Sequence, residues 1–474
     1  MSKSNNRQTI QSGMKILVVG LGKTGISAVG FLLRQGARIT VSEARPEASI
    51  DSQTLSFLKE SGVELESGGH TDKTFLNTDL IFVSPGIPLE TQPLVKALGR
   101  GIPVIGELAL APEYLETPVV AVTGTNGKST VTTLIGDIFK AMGKKVFVGG
   151  NIGTPLTNYL YGPQDADVCV LEVSSFQLDT AGDFRPEVGV LLNITPDHLD
   201  RYESYQAYGD SKFRLFSGQK QGDWAVLNIA DPEILSRVTE SLKKRIFFFG
   251  KDISRYPGAS QKEKRILLTG VKNVPGVEEY DLENTLFAKE PNLQNAMAAI
   301  LATRLMGCSH EAITKGLDAF LPLNHRLALV AEIDGVRFYD DSKATNIGAV
   351  CAALQSFSGG VILIAGGREK GGDYQMLKTM VKARVKSMYL IGEARSSMSR
   401  EFKDVTAVYA AESLEDAVCQ AGAAAKSGDS VLLSPACASF DMFRSYVHRG
   451  EVFRAAVAGL VKRKSLEKNT AVNG

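Results

Sequence analysis

The sequence predicts an α/β protein of three domains, each built on a mostly parallel sheet. Its 474 residues suit about three cores. Twice, an apolar strand runs into a glycine-rich turn and then a helical pattern, over 15–35 and over 118–142. Beyond residue 322, short apolar segments alternate with helical ones, as in parallel sheets with crossover helices.

In the first domain, 15–20 reads as a strand and Gly20-Leu21-Gly22-Lys23-Thr24-Gly25 matches G-x-G-x-x-G. Ile26 to Gln35 reads as a helix, and a second strand, Ala37 to Ser42, ends at Glu43. By spelling this is a Rossmann-like dinucleotide fingerprint, with the acid placed for a ribose hydroxyl. A hydride-transfer reading needs a second site for a reducible substrate, and no segment identifies one. The strand Asp79 to Val83 leads into Ser84-Pro85-Gly86-Ile87-Pro88, a sharp turn able to bring backbone N–H groups to a ligand. The domain is expected to span 1–105.

The second domain, 106–322, opens with strand Pro118 to Val122, then Thr123-Gly124-Thr125-Asn126-Gly127-Lys128-Ser129-Thr130, then helix Val131 to Met142. This is a phosphate loop, its first glycine one residue closer than in the usual G-x-x-x-x-G-K-[ST]. The glycines let N–H groups converge at a helix N-terminus, where an anion is favoured. Lys128 can reach the β- and γ-phosphates, and Ser129 or Thr130 can hold Mg²⁺, so ATP is the expected ligand of a mononucleotide-binding domain. A plain strand-to-helix turn is the alternative. Strand Val168 to Val173 carries Glu172 near its end, suited to Mg²⁺ or to a helix cap or salt bridge. Strand Val188 to Ile194 leads into a polar loop with His198, where binding residues concentrate, although a lone histidine is more often structural. Lys212, on a helical segment from Tyr205 to Phe216, reads alone as a solvated lysine. Residues 251–285 look irregular and mixed in charge, as strands and loops capping this domain. Asn292 and Asn295 share one face of a helix as caps or as readers of a purine edge.

The third domain, 323–474, is a second Rossmann-like unit. Polar clusters follow three of its strands: 340–346, 366–370 and 434–439. Ligands bind beyond the carboxyl ends of strands in such sheets, which suggests a half-site closing over ATP. The charged tail from Lys462 is expected to be disordered.

Lys plus Arg is 53 and Asp plus Glu 52, a balance that argues against nucleic acid or an acidic membrane surface as partner. No apolar run approaches the roughly 18 residues of a membrane span. Residues 1–14 lack a signal-peptide core. The five scattered cysteines, without a C-x-x-C pair, read as buried thiols of a reducing cytoplasm.

With these residues in place, the chain resembles the Mur ligases of bacterial cell-wall synthesis over roughly residues 15–455. The shared marks are G-T-N-G-K-S-T at 124–130, Glu172, the His198 loop, Lys212, the Asn292/Asn295 pair and His325-Arg326. G-L-G-K-T-G at 20–25, S-P-G-I at 84–87, G-N-I-G at 150–153, D-S-K-A-T-N at 341–346 and S-P-A-C-A-S at 434–439 point to the branch that adds D-glutamate. The resemblance implies that ATP phosphorylates the carboxylate of UDP-MurNAc-L-alanine and that the amine of D-glutamate attacks the acyl phosphate. It implies Mg²⁺ at Ser129 or Thr130 and Glu172, and a second Mg²⁺ at His198 and a carbamylated Lys212. Asn292, Asn295, Arg326, Asp341 and Lys343 would serve ATP. Gly22, Lys23, Thr24, Glu43, Arg45, Ser84, Pro85, Gly86 and Asn151 would hold the UDP substrate, and Thr345, Lys370, Ser439 and Tyr446 the D-glutamate. A cytoplasmic monomer is implied. Ala44, Pro291 and Tyr446 depart from the family's usual spelling, and Ala44 lacks a hydroxyl that relatives place near the uracil. Ligases adding another amino acid, or glutamate to folate, are the nearest alternative, and D-S-K-A-T-N argues against them. An NAD-dependent oxidoreductase leaves the phosphate loop, Glu172 and His198 without a role. A non-catalytic nucleotide scaffold leaves the metal and acceptor residues without one.

Overall fold

The computed structural model describes residues 9–243, 245–253, 255–271, 274–369 and 374–472. Within these the chain forms three sheets in succession, as the α/β reading requires. The first contains β1 (Lys15–Val19), β2 (Arg38–Glu43), β3 (Glu64–Ser67), β4 (Leu80–Val83) and β5 (Val104–Ile105), in the order β3-β2-β1-β4-β5 and parallel throughout.

The second sheet contains β6 (Val119–Thr123), β7 (Val146–Gly150), β8 (Val168–Glu172), β9 (Val188–Leu191), β10 (Trp224–Asn228), β11 (Ile246–Gly250), β12 (Gly258–Lys262), β13 (Arg265–Thr269) and β14 (Val277–Asp281). Its order is β14-β13-β12-β11-β10-β9-β6-β8-β7, parallel from β7 to β12 and antiparallel at the β12-β13-β14 end. The segment 251–285, read as irregular strands and loops, supplies the three strands at one end of this sheet, whose mixed charge reflects one solvated face. The third sheet contains β15 (Ala328–Ile333), β16 (Val336–Asp340), β17 (Val361–Gly366), β18 (Val385–Ile391), β19 (Ala407–Ala410) and β20 (Ser430–Leu433), ordered β15-β16-β20-β17-β18-β19. Only the β15–β16 pairing in it is antiparallel.

By packing, the chain forms two units. One takes in the described residues to Ile194 with Gln206–Thr285 and Gln294–Ala319, and carries the first two sheets. The other takes in Thr195–Tyr205, Leu286–Leu293 and the residues from Phe320 on, and carries the third. Their central strands are continuous apolar runs, such as the wholly buried Val119–Thr123, because helices cover both faces of a parallel sheet.

Three expectations change. The helices after the two glycine turns begin at Lys23 and Lys128, three residues earlier than the periodicity suggests, since the last motif residues wind the first helical turn. The tail from Lys462 continues a helix, Tyr446–Val472, in keeping with the good helix formers Lys, Arg, Leu and Glu there. Cys419 is half-buried, and only the other four cysteines are fully buried. No helix among the described residues is long and apolar enough to cross a membrane.

Candidate active site

The phosphate loop follows β6, which lies between β8 and β9. Val122 pairs with Glu172 and Thr123 with Leu191, so the parallel register brings Glu172 and the residues after β9 level with the loop. Gly124 (φ +148°) and Gly127 (φ +89°) take conformations that suit glycine, and a Cβ on Gly127 would lie 2.4 Å from Asn295 Oδ1. That contact seats Asn295 against the loop. Asn193 clamps the turn. Its Oδ1 accepts the N–H groups of Thr125 (3.1 Å) and Asn126 (2.8 Å), and its Nδ2 donates to Asn126 O (3.0 Å).

Charged groups crowd this turn. Lys128 Nζ donates to Gly124 O and Thr125 O, each at 2.8 Å. Ser129 Oγ donates to Glu172 Oε2 in a short contact, while Asn151 Nδ2 donates to Glu172 Oε1 at 2.7 Å. The next residue, Thr130, is buried on the same helix. The cap of the helix after β8 is Ser174, so Glu172 is not its cap.

Lys212 is 2% exposed, which overturns its reading as a solvated lysine. The helix Tyr205–Phe213 turns it inward, where Nζ donates to Gly124 O at 2.9 Å and lies 4.5 Å from the centre of the Tyr208 ring. A carbonyl and a ring face offset part of the cost of burying an ammonium. Two lysines therefore share one loop carbonyl.

The glycine turn of the first sheet is tighter. A Cβ on Gly25 would lie 1.9 Å from Gly20 O, and Gly20 itself has φ +89°. Ser84 Oγ donates to Gly20 O at 2.9 Å, tying the S-P-G turn to the motif. The helix Lys23–Arg34 begins at Gly22 with no side-chain cap, and Gly22, Lys23 and Gly86 are exposed, with Thr24 and Pro85 half-buried. Glu43 accepts the Leu21 N–H (2.7 Å) and the Arg45 guanidinium (3.0 and 3.1 Å). Burial alone would raise its pKa, but the hydrogen bonds from Arg45 and Leu21 and the Arg45 charge hold it down at about 2.

In the other unit, Asp341 Oδ1 accepts the Leu327 N–H (3.1 Å) and Oδ2 the Ser434 hydroxyl (2.8 Å). Burial pushes its pKa up to about 7 against the pull of Ser434, Leu327 and the Arg326 charge. Lys343 Nζ stands 5.1 Å from the centre of the Tyr446 ring, which meets His325 edge-on at 6.2 Å. Ser439 is buried and Thr345, Arg326 and Asn292 are half-buried. His198 has φ +56° beside the buried Asp197, whose Oδ2 accepts Asn346 Nδ2 at 2.9 Å. Lys370 lies outside the described residues. His198 and Asn292 thus belong to the second unit, and Lys212 and Asn295 to the first.

Residues with site roles also appear that motif reading missed. Asn193 had a signal, as a lone amide in an apolar strand end. Arg449 had none. It is fully buried and donates to Ser342 Oγ (3.0 Å), Ser342 O (2.8 Å) and Cys437 O (3.1 Å), joining two of the polar clusters. Burial lowers its pKa to about 10, against the opposing charges of Cys437, Asp441 and Asp340.

Among the described residues, no group of three or more His, Cys, Asp or Glu side chains is placed to hold a metal ion. One carboxylate and one hydroxyl at a phosphate loop nevertheless fit Mg²⁺, which keeps several waters and takes phosphate oxygens rather than a full protein cage.

A phosphate loop with a carboxylate on the neighbouring strand defines a nucleotide-using α/β enzyme. Three family models match the chain in succession: the Mur ligase MurD-like N-terminal domain over 14–106, the Mur ligase middle domain over 122–303 and the Mur ligase glutamate ligase domain over 325–437. The chain belongs to the Mur ligase family. The UDP-N-acetylmuramoylalanine–D-glutamate ligase of Geotalea uraniireducens is 44% identical over 94% of this chain and 97% of its own length. The proteins of the same name from Desulfosudis oleivorans (44%; 94% and 96%) and Koribacter versatilis (42%; 95% and 99%) are similar to it as well. Among solved structures, a pseudomurein peptide ligase type C from Methanothermus fervidus has a TM-score of 0.59 at 20% identity, over 94% of this chain and 100% of that one. A MurF ligase from Thermotoga maritima in complex with ADP has a TM-score of 0.56 at 18% identity, covering 96% and 97%. These two share the fold.

Proposed function

We propose that the chain adds D-glutamate to UDP-N-acetylmuramoyl-L-alanine in peptidoglycan precursor synthesis, converting ATP to ADP and phosphate through an acyl phosphate. The observation that carries this is the cluster of Lys128, Ser129, Glu172 and buried Lys212 at one phosphate-loop turn, in a chain 44% identical to relatives of that name.

Joining a carboxylate to a γ-phosphate brings two anions together, so the site must supply positive charge where negative charge develops. Lys128 and the N-terminus of its helix supply part of it. Bound Mg²⁺ supplies Lewis-acid charge neutralisation between the anions. Ser129, with Thr130 next to it, and Glu172 would hold one ion, and His198 and Lys212 a second. For that role Lys212 adds CO₂ to its neutral amine with loss of one proton, and the carbamate gives a hard cation an oxygen ligand. Asn292 and Asn295 take the adenine, Arg326 and Lys343 the phosphates, and Asp341 the ribose. Gly22, Lys23, Thr24, Glu43, Arg45, Ser84, Pro85, Gly86 and Asn151 hold the nucleotide-sugar, and Thr345, Lys370, Ser439 and Tyr446 the D-glutamate. The domain limits follow as 1–105, 106–322 and 323–474, in a cytoplasmic monomer.

The test is phosphate release from ATP with UDP-MurNAc-L-alanine and either D-glutamate, L-glutamate or meso-diaminopimelate. Release that requires D-glutamate bears the reading out. Release with another acceptor keeps the family and replaces the amino acid.

A further inference from the structure

We propose that Glu107 is a positioning residue for this reaction, holding through Gln177 the turn that carries Glu172. The inference rests on the reading of Glu172 as a metal-holding carboxylate.

Glu107 lies on the connection between the first and second sheets and is 2% exposed. Its Oε2 accepts the N–H groups of Leu156 (2.9 Å) and Thr157 (3.4 Å), at the start of the helix Leu156–Tyr161 that follows the Asn151 turn. Its Oε1 accepts Gln177 Nε2 at 2.7 Å. The orientation of the Gln177 amide is dictated, because its Oε1 accepts the Ser174 backbone N–H (2.9 Å) and hydroxyl (3.0 Å), and a backbone N–H can only donate. These bonds close a capping box on the helix Ser175–Asp179, just past Glu172. The same turn reaches the second lysine, since Ser211 Oγ, adjacent to Lys212, donates to Ser175 O at 2.9 Å. Thr157 Oγ1 in turn donates to Ser27 Oγ (2.9 Å), on the helix of the first glycine turn. One buried carboxylate is therefore bonded to the segments that follow Asn151 and Glu172, and linked through them to the helices bearing Lys212 and Lys23. Its pKa is raised, burial outweighing the pull of Gln177, Thr157 and Leu156, and each of these three partners is a donor, so both carboxyl oxygens act as acceptors.

Glu107→Gln keeps the shape, but its NH₂ must face either the two N–H groups of Leu156 and Thr157 or, with its oxygen kept on those two, the NH₂ of Gln177, and the second arrangement leaves fewer donors opposed. Rotating Gln177 to relieve this would aim its donor at the Ser174 N–H, so the misfit falls on the turn after Glu172. The exchanged pair Glu107→Gln with Gln177→Glu restores every bond: a glutamate completes the capping box and accepts from the new amide.

The experiment uses the full chain and reads the Mg²⁺ concentration for half-maximal turnover, together with the rise in melting temperature induced by Mg²⁺ and ADP. Glu107→Gln is expected to raise the Mg²⁺ requirement about tenfold and to diminish the induced rise, as for other groups that orient a metal ligand. The exchanged pair should return both to within about twofold of the parent, and it serves as the test should Glu107→Gln fail to fold. A Glu107→Gln protein with lowered melting temperature but unchanged Mg²⁺ requirement overturns the proposal, as does an exchanged pair that folds without recovering it. Glu172→Gln separates the two readings. If it leaves the Mg²⁺ requirement unchanged, the metal assignment itself fails. If it raises the requirement while Glu107→Gln does not, only the positioning role fails.

Discussion

The chain uses the strand, glycine turn and helix arrangement twice, and in both the helix opens on a lysine, Lys23 or Lys128. In the first turn Gly25 packs onto Gly20 O, and the nearby carboxylate, Glu43, is spent on Leu21 and Arg45. Lys23 points to solvent. In the second turn Lys128 folds back onto the loop, Lys212 converges on the same carbonyl, and Glu172 meets a hydroxyl and an amide. The turns differ in backbone, with Gly22 extended and Gly127 left-handed at the helix start, yet both place a helix N-terminus after a strand and so suit a phosphate. The difference lies in the flanking charge. An internally neutralised turn suits binding, whereas one with two lysines and a metal-type carboxylate suits moving a phosphoryl group.

The largest expected effect tests that contrast at equivalent positions. Lys128→Ala should lower phosphate release by at least about 10³-fold, the loss of a main transition-state contact. Lys23→Ala should raise the KM for the nucleotide-sugar about fivefold, as for one charge at a helix N-terminus. Equal effects of the two would erase the distinction. Lys212→Ala should abolish turnover, with partial recovery on adding a short carboxylic acid. An active variant that no acid improves would make Lys212 a packing residue.

Arg45→Ala should raise the KM for the nucleotide-sugar about tenfold and leave that for ATP alone, the scale of a charged hydrogen bond. It also has a pH signature. The folded pKa of Glu43, about 2, lies below the ordinary glutamate value of 4.5. Its stabilising contribution is therefore present above pH 4.5 and lost as pH falls toward 2, and Arg45→Ala should shrink that loss in melting temperature. Asp341 has the opposite sign and the smallest expected effect. Its folded pKa of about 7 lies above 3.8, so the folded state favours the protonated acid and loses stability as pH rises between the two values. The melting temperature of Asp341→Asn relative to the parent should climb from pH 5 to pH 8. A constant difference would show that Asp341 is ionised throughout.

Much of the site was legible where function is carried by backbone. Glycine at 20, 25, 124 and 127 leaves a mark because those positions demand positive φ or exclude a Cβ. The phosphate-loop spelling likewise marks Ser129, and a carboxylate at the end of an apolar strand marks Glu172. Side-chain networks left weaker marks. The inward turn of Lys212 and the buried Arg449 depend on which helix face meets the sheet, and a lysine or arginine in a mixed segment looks the same whether solvated or buried.

The sequence by itself determined the alternation of strand and helix, the two anion-binding turns and the family, because periodicity and glycine placement are local properties of the chain. Tertiary structure alone decided that β8 and β9 flank β6, that Asn193 clamps the loop and that Glu107 reaches Gln177 across 70 residues. Those outcomes follow from strand order and burial, which set distances between residues far apart in the chain and which no local pattern encodes.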